Sequence, residues 1–114
     1  MKNTLNVYRK NTAIITLQVC DYQFTSGDTI YFTVKVKPDN DSTDDSALIK
    51  ANWIVGTDVE VENGQLQLEL TPTQTDIAFG QYFYDIKLIS AANDAEQTLI
   101  TGDINILDVA TLRA

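Results

Sequence analysis

Gln65 to Leu88 runs QLQLELTPTQTDIAFGQYFYDIKL. Leu66, Leu68 and Leu70 alternate with Gln65, Gln67 and Glu69, the period of two expected of a strand with one buried face. Pro72 ends that strand, since proline has no amide hydrogen to give to a ladder. Thr73 to Ala78 have the polar composition of a short helical turn, and Gly80 permits a sharp entry into a second strand. There Tyr82, Tyr84, Ile86 and Leu88 share one face. A crossover of this kind joins the two sheets of a β-sandwich, and a tyrosine early in the second strand pins it by bonding back to the corner backbone. Tyr82 is predicted in that role, its ring under the turn of residues 73–79. The stretch fixes architecture and carries no catalytic constellation.

The same strand grammar continues on both sides. Leu5 and Val7 predict a short opening strand, and Ala13, Ile15, Leu17 and Val19 an alternating second one. A Ser26-Gly27-Asp28 turn leads into Ile30, Phe32, Val34 and Val36, with Tyr31, Thr33, Lys35 and Lys37 on the opposite face. Pro38 closes that strand, and an acidic loop of residues 39–46 follows. Ala47, Ile49, Ala51, Trp53 and Val55 can share an inward face, with Trp53 expected at the centre of the core. Val59 and Val61 predict a short strand, and Asn63-Gly64 is a two-residue hairpin signal into Leu66. Thr98 to Leu107 is a β-rich run interrupted by Gly102, an expected bulge, with Ala91 to Asp94 as the turn before it. The expectation is an all-β, immunoglobulin-like antiparallel β-sandwich of seven to eight strands. Its predicted core holds Ile15, Leu17, Phe32, Val34, Trp53, Leu68, Tyr84, Ile86 and Ile104.

A chain of 114 residues reads as one domain, 1–114, burying about two-thirds of its unfolded surface. The single Cys20 cannot form an internal bridge, and with no histidine in the chain it lacks the usual base for a thiolate nucleophile. A small buried hydrophobe is its expected role. Eight basic against sixteen acidic residues give a net charge of −8, which disfavours nucleic acid and anionic membrane surfaces. Met1 to Lys10 has no apolar h-region, and no apolar run reaches bilayer length. Synthesis in the cytoplasm without a cleavable export signal is therefore expected.

The residues offer little catalytic or metal-binding chemistry. Asp39, Asp41, Asp44 and Asp45 crowd one loop, but an EF-hand register places Asp44 where glycine is needed and Lys50 where a bidentate glutamate is needed. Zinc would have one cysteine and no histidine. Sixteen acids make some carboxylate pair inevitable, and Asp85, the most notable, is expected outward beside Phe83 and Lys87. No phosphate-cradling loop and no Ser/His/Asp set exists. The expectation is no catalytic residues, no cofactor and no metal. Tyr8, Tyr22, Phe24, Tyr31, Phe79 and Phe83 are instead predicted in loops or on outward faces, where aromatic side chains favour recognition. Tyr8, Tyr31 and Phe83 are the foremost contact residues. The sandwich places Tyr31 and Phe83 in different parts of the domain. The closing strand and the tail of residues 107–114 are expected to offer backbone for strand addition, with Lys35 and Lys37 guarding an edge.

Val7-Tyr8-Arg9, the GDTIYFTVKV strand from Gly27, the LELTPTQT corner from Leu68, the GQYFYDIKL strand from Gly80 and the closing TLITGDINILDVAT from Thr98 together resemble a group of small phage and prophage proteins. These have an immunoglobulin-like sandwich and occur in virion, tail or baseplate gene neighbourhoods. The closing Asp-Val-Thr element of that group is interrupted here, since Ala110 separates Asp108-Val109 from Thr111. Asp76 to Tyr84 also resembles the Asp-x-Ala/Gly-x-Tyr corner of immunoglobulin domains, with Tyr84 standing where those domains have their second cysteine. The resemblance implies a non-enzymatic structural or interaction protein of a virion, with other phage structural proteins or further copies of itself as partners. The alternative is a carbohydrate-binding module stacking exposed Tyr or Phe on a glycan. An enzyme built on an acidic pair is a distant third.

Overall fold

The computed structural model describes residues 3–18, 23–36, 47–92 and 95–108. Cys20, Tyr22, Lys37, the acidic loop of residues 39–46, Asn93, Asp94 and the tail from residue 109 onward lie outside them. Seven strands follow in order: β1 (Asn3–Tyr8), β2 (Ala13–Gln18), β3 (Thr29–Lys35), β4 (Ile49–Ile54), β5 (Gln65–Leu70), β6 (Gly80–Ile89) and β7 (Glu96–Leu107). They form a five-stranded sheet of order β1-β7-β6-β3-β4 and a two-stranded sheet of β2 and β5. All pairs are antiparallel except β1 with β7, which run parallel. The fold is an immunoglobulin-like β-sandwich.

Alternation explains which face each strand buries. All nine predicted core residues are buried, and one cluster joins them to Leu66, Leu70, Ile30, Leu88 and Ile106 from both sheets. Trp53 is buried, yet it belongs to the edge strand β4, so the centre falls to Phe32 on β3. Phe32 meets Tyr84 of β6 with ring centroids 5.7 Å apart in a tilted arrangement, within the range of favourable aromatic pairs. Immunoglobulin domains put a tryptophan and a disulfide in this region; here two aromatic rings occupy it.

The corner forms as predicted. Pro72 to Thr75 make the turn, and the Tyr82 hydroxyl donates to the Ala78 carbonyl at 2.7 Å. Thr75, fully buried, donates its own hydroxyl to the Asn11 carbonyl at 2.8 Å, which ties the corner to the loop between β1 and β2. Arg9 adds ion pairs to Asp76 of the corner at 3.4 Å and to Asp108 after β7 at 3.5 Å.

Several expectations are corrected. Val59 and Val61 form no strand: the amides of Thr57, Asp58 and Val59 all donate to the Ile54 carbonyl, which curls the chain and leaves only an isolated bridge from Val55 to Val59. The Asn63-Gly64 turn is real, with φ of 54° and 76°, and Glu62 and Gln65 exchange both backbone bonds across it. Gly102 is not a bulge. It sits in regular register opposite Tyr84, and the irregularity falls between Ile86 and Lys87, where Leu99 is the extra residue on β7. Val36 is exposed because β3 ends at Lys35. Phe24 is buried rather than outward and joins the core cluster.

Candidate functional site

The outward face of the five-stranded sheet gathers the expected contact residues. Tyr31 on β3 and Phe83 on β6 lie on neighbouring strands and the same face, not in different parts of the domain. The expectation failed because β3 and β6, far apart in sequence, pair directly. Tyr31 stands in register with Lys87 of β6 on one side and Asn52 of β4 on the other. Phe83 stands between Lys35 of β3 and Asp103 of β7. Between these rows runs a third, Lys50–Thr33–Asp85–Thr101. Tyr31 is 39% exposed, whereas Phe83 is half-buried among its neighbours. Asp85 is half-buried, opposite Thr33 rather than a lysine.

Tyr8 belongs to the same face but to its far margin, at the end of edge strand β1 beside Leu107. Phe79, exposed, precedes β6 at that end. The structure thus brings Tyr31 and Phe83 together and leaves Tyr8 apart, three strands from Tyr31. Lys35 guards no edge, since β3 is flanked by β6 and β4. The closing strand is likewise covered by β1 from Gly102 to Leu107, so strand addition is not open along that half.

A shallow depression of about 310 Å³ lies between β3 and β4, lined by Tyr31, Phe32, Thr33, Lys50, Ala51 and Asn52. Its polar groups are a phenol, a hydroxyl and an amide, each able to donate and to accept, and an ammonium that only donates. The outward sides of β3, β4 and β6 carry Lys35, Lys50 and Lys87 against the single Asp85. That makes this part of the face net +2 on a chain of net −8, while β7 alongside contributes Asp103 and Glu96.

Asp28, which the sequence suggested only as part of a turn, bonds to the ends of the strands that carry this face. It is fully buried immediately before β3. One carboxylate oxygen accepts the Thr25 amide at 3.0 Å; the other accepts the Thr25 hydroxyl at 3.2 Å and the Ala91 amide at 2.9 Å. Its carbonyl accepts the Val55 amide at 2.8 Å. Ala91 follows β6 and Val55 follows β4, so one residue ties the ends of the three strands that present Lys87, Tyr31 and Asn52. Behind the face, burial pushes the Tyr84 phenol above its ordinary value, with the negative charge of Asp103 adding to the rise.

Among the described residues no three His, Cys, Asp or Glu side chains group to hold a metal ion. Among them, too, no helix is long and apolar enough to cross a membrane. No family model matches the chain, and no curated protein matches it. Solved structures with a similar course of the chain include a Bacteroides vulgatus ATCC 8482 protein named "putative glycoside hydrolase", at 7% identity and TM-score 0.49, matched over 93% of this chain and 17% of that one. Another is the extracellular domain of the voltage-gated sodium channel beta4 subunit, whose parallel homodimers are tied to cell–cell adhesion, at 12% identity and TM-score 0.39, covering 95% and 92%. This chain therefore spans about a sixth of the first neighbour, and identities this low say nothing of shared chemistry.

Proposed function

We propose that the chain is a non-enzymatic assembly component that works through the outward face of its larger sheet, as part of a phage or prophage particle such as a tail or baseplate. One observation carries the contact role: Tyr31 and Phe83 share a broad face with lysines and amides around them, and the depression beside Tyr31 is shallow. Protein contacts favour aromatic centres with polar rims over a flat area. The particle itself is proposed from the sequence resemblance. Partners in this reading are other virion proteins or further copies of the chain.

The depression favours a second reading, a carbohydrate-binding module. Tyr31 offers a ring for stacking, and Asn52 and Lys50 offer donors for sugar hydroxyls or a uronate. Two probes separate the readings: the purified products of neighbouring genes and a glycan array, each tried with the wild type and Tyr31→Ala. Capture of a structural protein that Tyr31→Ala loses supports assembly. Glycan binding without such capture overturns it in favour of the module.

A further inference from the structure

The partner's chemistry can be narrowed by charge. The chain carries sixteen acids and eight bases, so two copies repel wherever ordinary surface meets ordinary surface. The outward sides of β3, β4 and β6 are an exception, with Lys35, Lys50 and Lys87 against Asp85, bordered on β7 by Asp103 and Glu96. The positive charges flank Tyr31: Lys87 is its register partner, and Lys50 follows Asn52 by one row on the same face. The chain also presents the opposite pattern. Between β4 and β5, Asp58, Glu60 and Glu62 are all exposed within five residues, and this connection curls beyond the end of β4.

We infer that the lysine-flanked Tyr31 face receives the acidic β4–β5 connection of a second copy of this chain. This rests on the assembly reading above and names its partner. The two surfaces differ, so the contact is head-to-tail: each copy uses its face for one neighbour and its acidic connection for the other. Contacts of that kind grow into a ring if the rotation closes and a filament if it does not. Face-to-face pairing is disfavoured, because it would set the lysines of one copy against those of the other. The carboxylates find donors in Lys50, Lys87 and Asn52, and the Tyr31 ring supplies the apolar part of the contact.

Two variants test this by sedimentation at physiological salt. Lys50→Glu with Lys87→Glu disables the face; Glu60→Lys with Glu62→Lys disables the connection. Asp58 is left in place, because its carboxylate accepts the Ile54 amide at 2.9 Å. The wild type is expected to associate, and each variant alone to associate at least about tenfold more weakly. Mixed one to one, the variants can pair twice over, the intact connection of one on the intact face of the other and the reversed connection on the reversed face, so association should be restored. If the face variant does not fold by circular dichroism, Lys50→Gln with Lys87→Gln replaces it, with a smaller loss of the same sign. A wild type that stays monomeric at millimolar concentration overturns the inference, as does a mixture that stays monomeric. Association lost in Tyr31→Ala but kept in both charge variants also overturns it, while leaving assembly through this face intact.

Discussion

Asp28→Ala should be the most damaging single change outside the hydrophobic core, and the structure allows its cost to be worked out. The substitution keeps the backbone bonds of residue 28 and removes at least three side-chain acceptances, from the Thr25 amide, the Thr25 hydroxyl and the Ala91 amide. Hydrogen bonds to a charged group contribute roughly 1.5–3 kcal/mol each. Thr25 and Ala91 are themselves exposed, so water can reach the freed donors, and the low end applies. Part of the loss is offset because a buried carboxylate no longer has to be desolvated. The net expectation is about 3 kcal/mol, a large share of the roughly 5–15 kcal/mol that holds a domain of this size. Asp28→Asn should cost less, about 1–2 kcal/mol, since its carbonyl can keep the two bonds at Oδ1 while its amide nitrogen faces the Thr25 N–H. Urea unfolding followed by the fluorescence of Trp53, the only tryptophan and buried in the native state, reads both values. An Asp28→Ala variant within about 0.5 kcal/mol of the wild type would refute the staple, because that is the scatter of surface substitutions. Equal losses for Asn and Ala would refute the assignment of individual bonds.

Four further outcomes are expected. Tyr82→Phe should cost about 0.5–1.5 kcal/mol in urea unfolding for the lost bond to Ala78; no shift in midpoint would count against the corner. The raised Tyr84 phenol means that the unfolded chain releases this proton first, so its contribution is complete below about pH 10 and is lost as pH rises through the folded value. Stability of the wild type should therefore fall relative to Tyr84→Phe by up to about 1.4 kcal/mol per pH unit between those two values, as read by paired unfolding curves at pH 9 and 11. Gly56→Ala should destabilise more than Gly64→Ala: both sit at positive φ, but only at Gly56 would the new Cβ meet Ser26, with Oγ at 2.5 Å. Association should peak at intermediate salt, since screening near 10 Å relieves repulsion between copies of net −8 and screening near 3 Å weakens the direct charge pairs; sedimentation across a salt series reads the curve.

The fold was legible where alternation was clean and local. From Gln65 to Leu88 the leucines, the proline and Tyr82 each specify a feature within a few residues of themselves, and each forms as specified. What alternation cannot carry is which strand lies beside which. β3 and β6 are separated by about fifty residues of chain, and their pairing arises from closing one core, with Phe32 against Tyr84 at its middle. Trp53 shows the same limit, because a buried position reads alike on a central strand and on an edge strand. Val59 and Val61 mislead for another reason: two apolar residues at the right spacing form no ladder once three amides have turned onto the Ile54 carbonyl.

The proposed contact surface was half legible for that reason. Tyr31 and Phe83 were recognisable as outward residues from their own strands, but a shared patch exists only because those strands are neighbours. The burial of Asp28 is legible in the same alternation. The run Ile30, Phe32, Val34 faces inward, and extending its period by one step puts position 28 on the buried side. A carboxylate at a buried position needs donors, and the adjoining turn supplies Thr25 while the turn after β6 supplies Ala91. The inference runs from pattern to function, since a buried acid at the head of a strand fixes how its neighbours end. Here its bonds join the ends of β4, β3 and β6, the strands that carry Asn52, Tyr31 and Lys87 in one row. A flat interaction face depends on register in this way as strictly as a catalytic site depends on distance. The residue controlling the face therefore lies beneath its edge, where no survey of exposed side chains would find it.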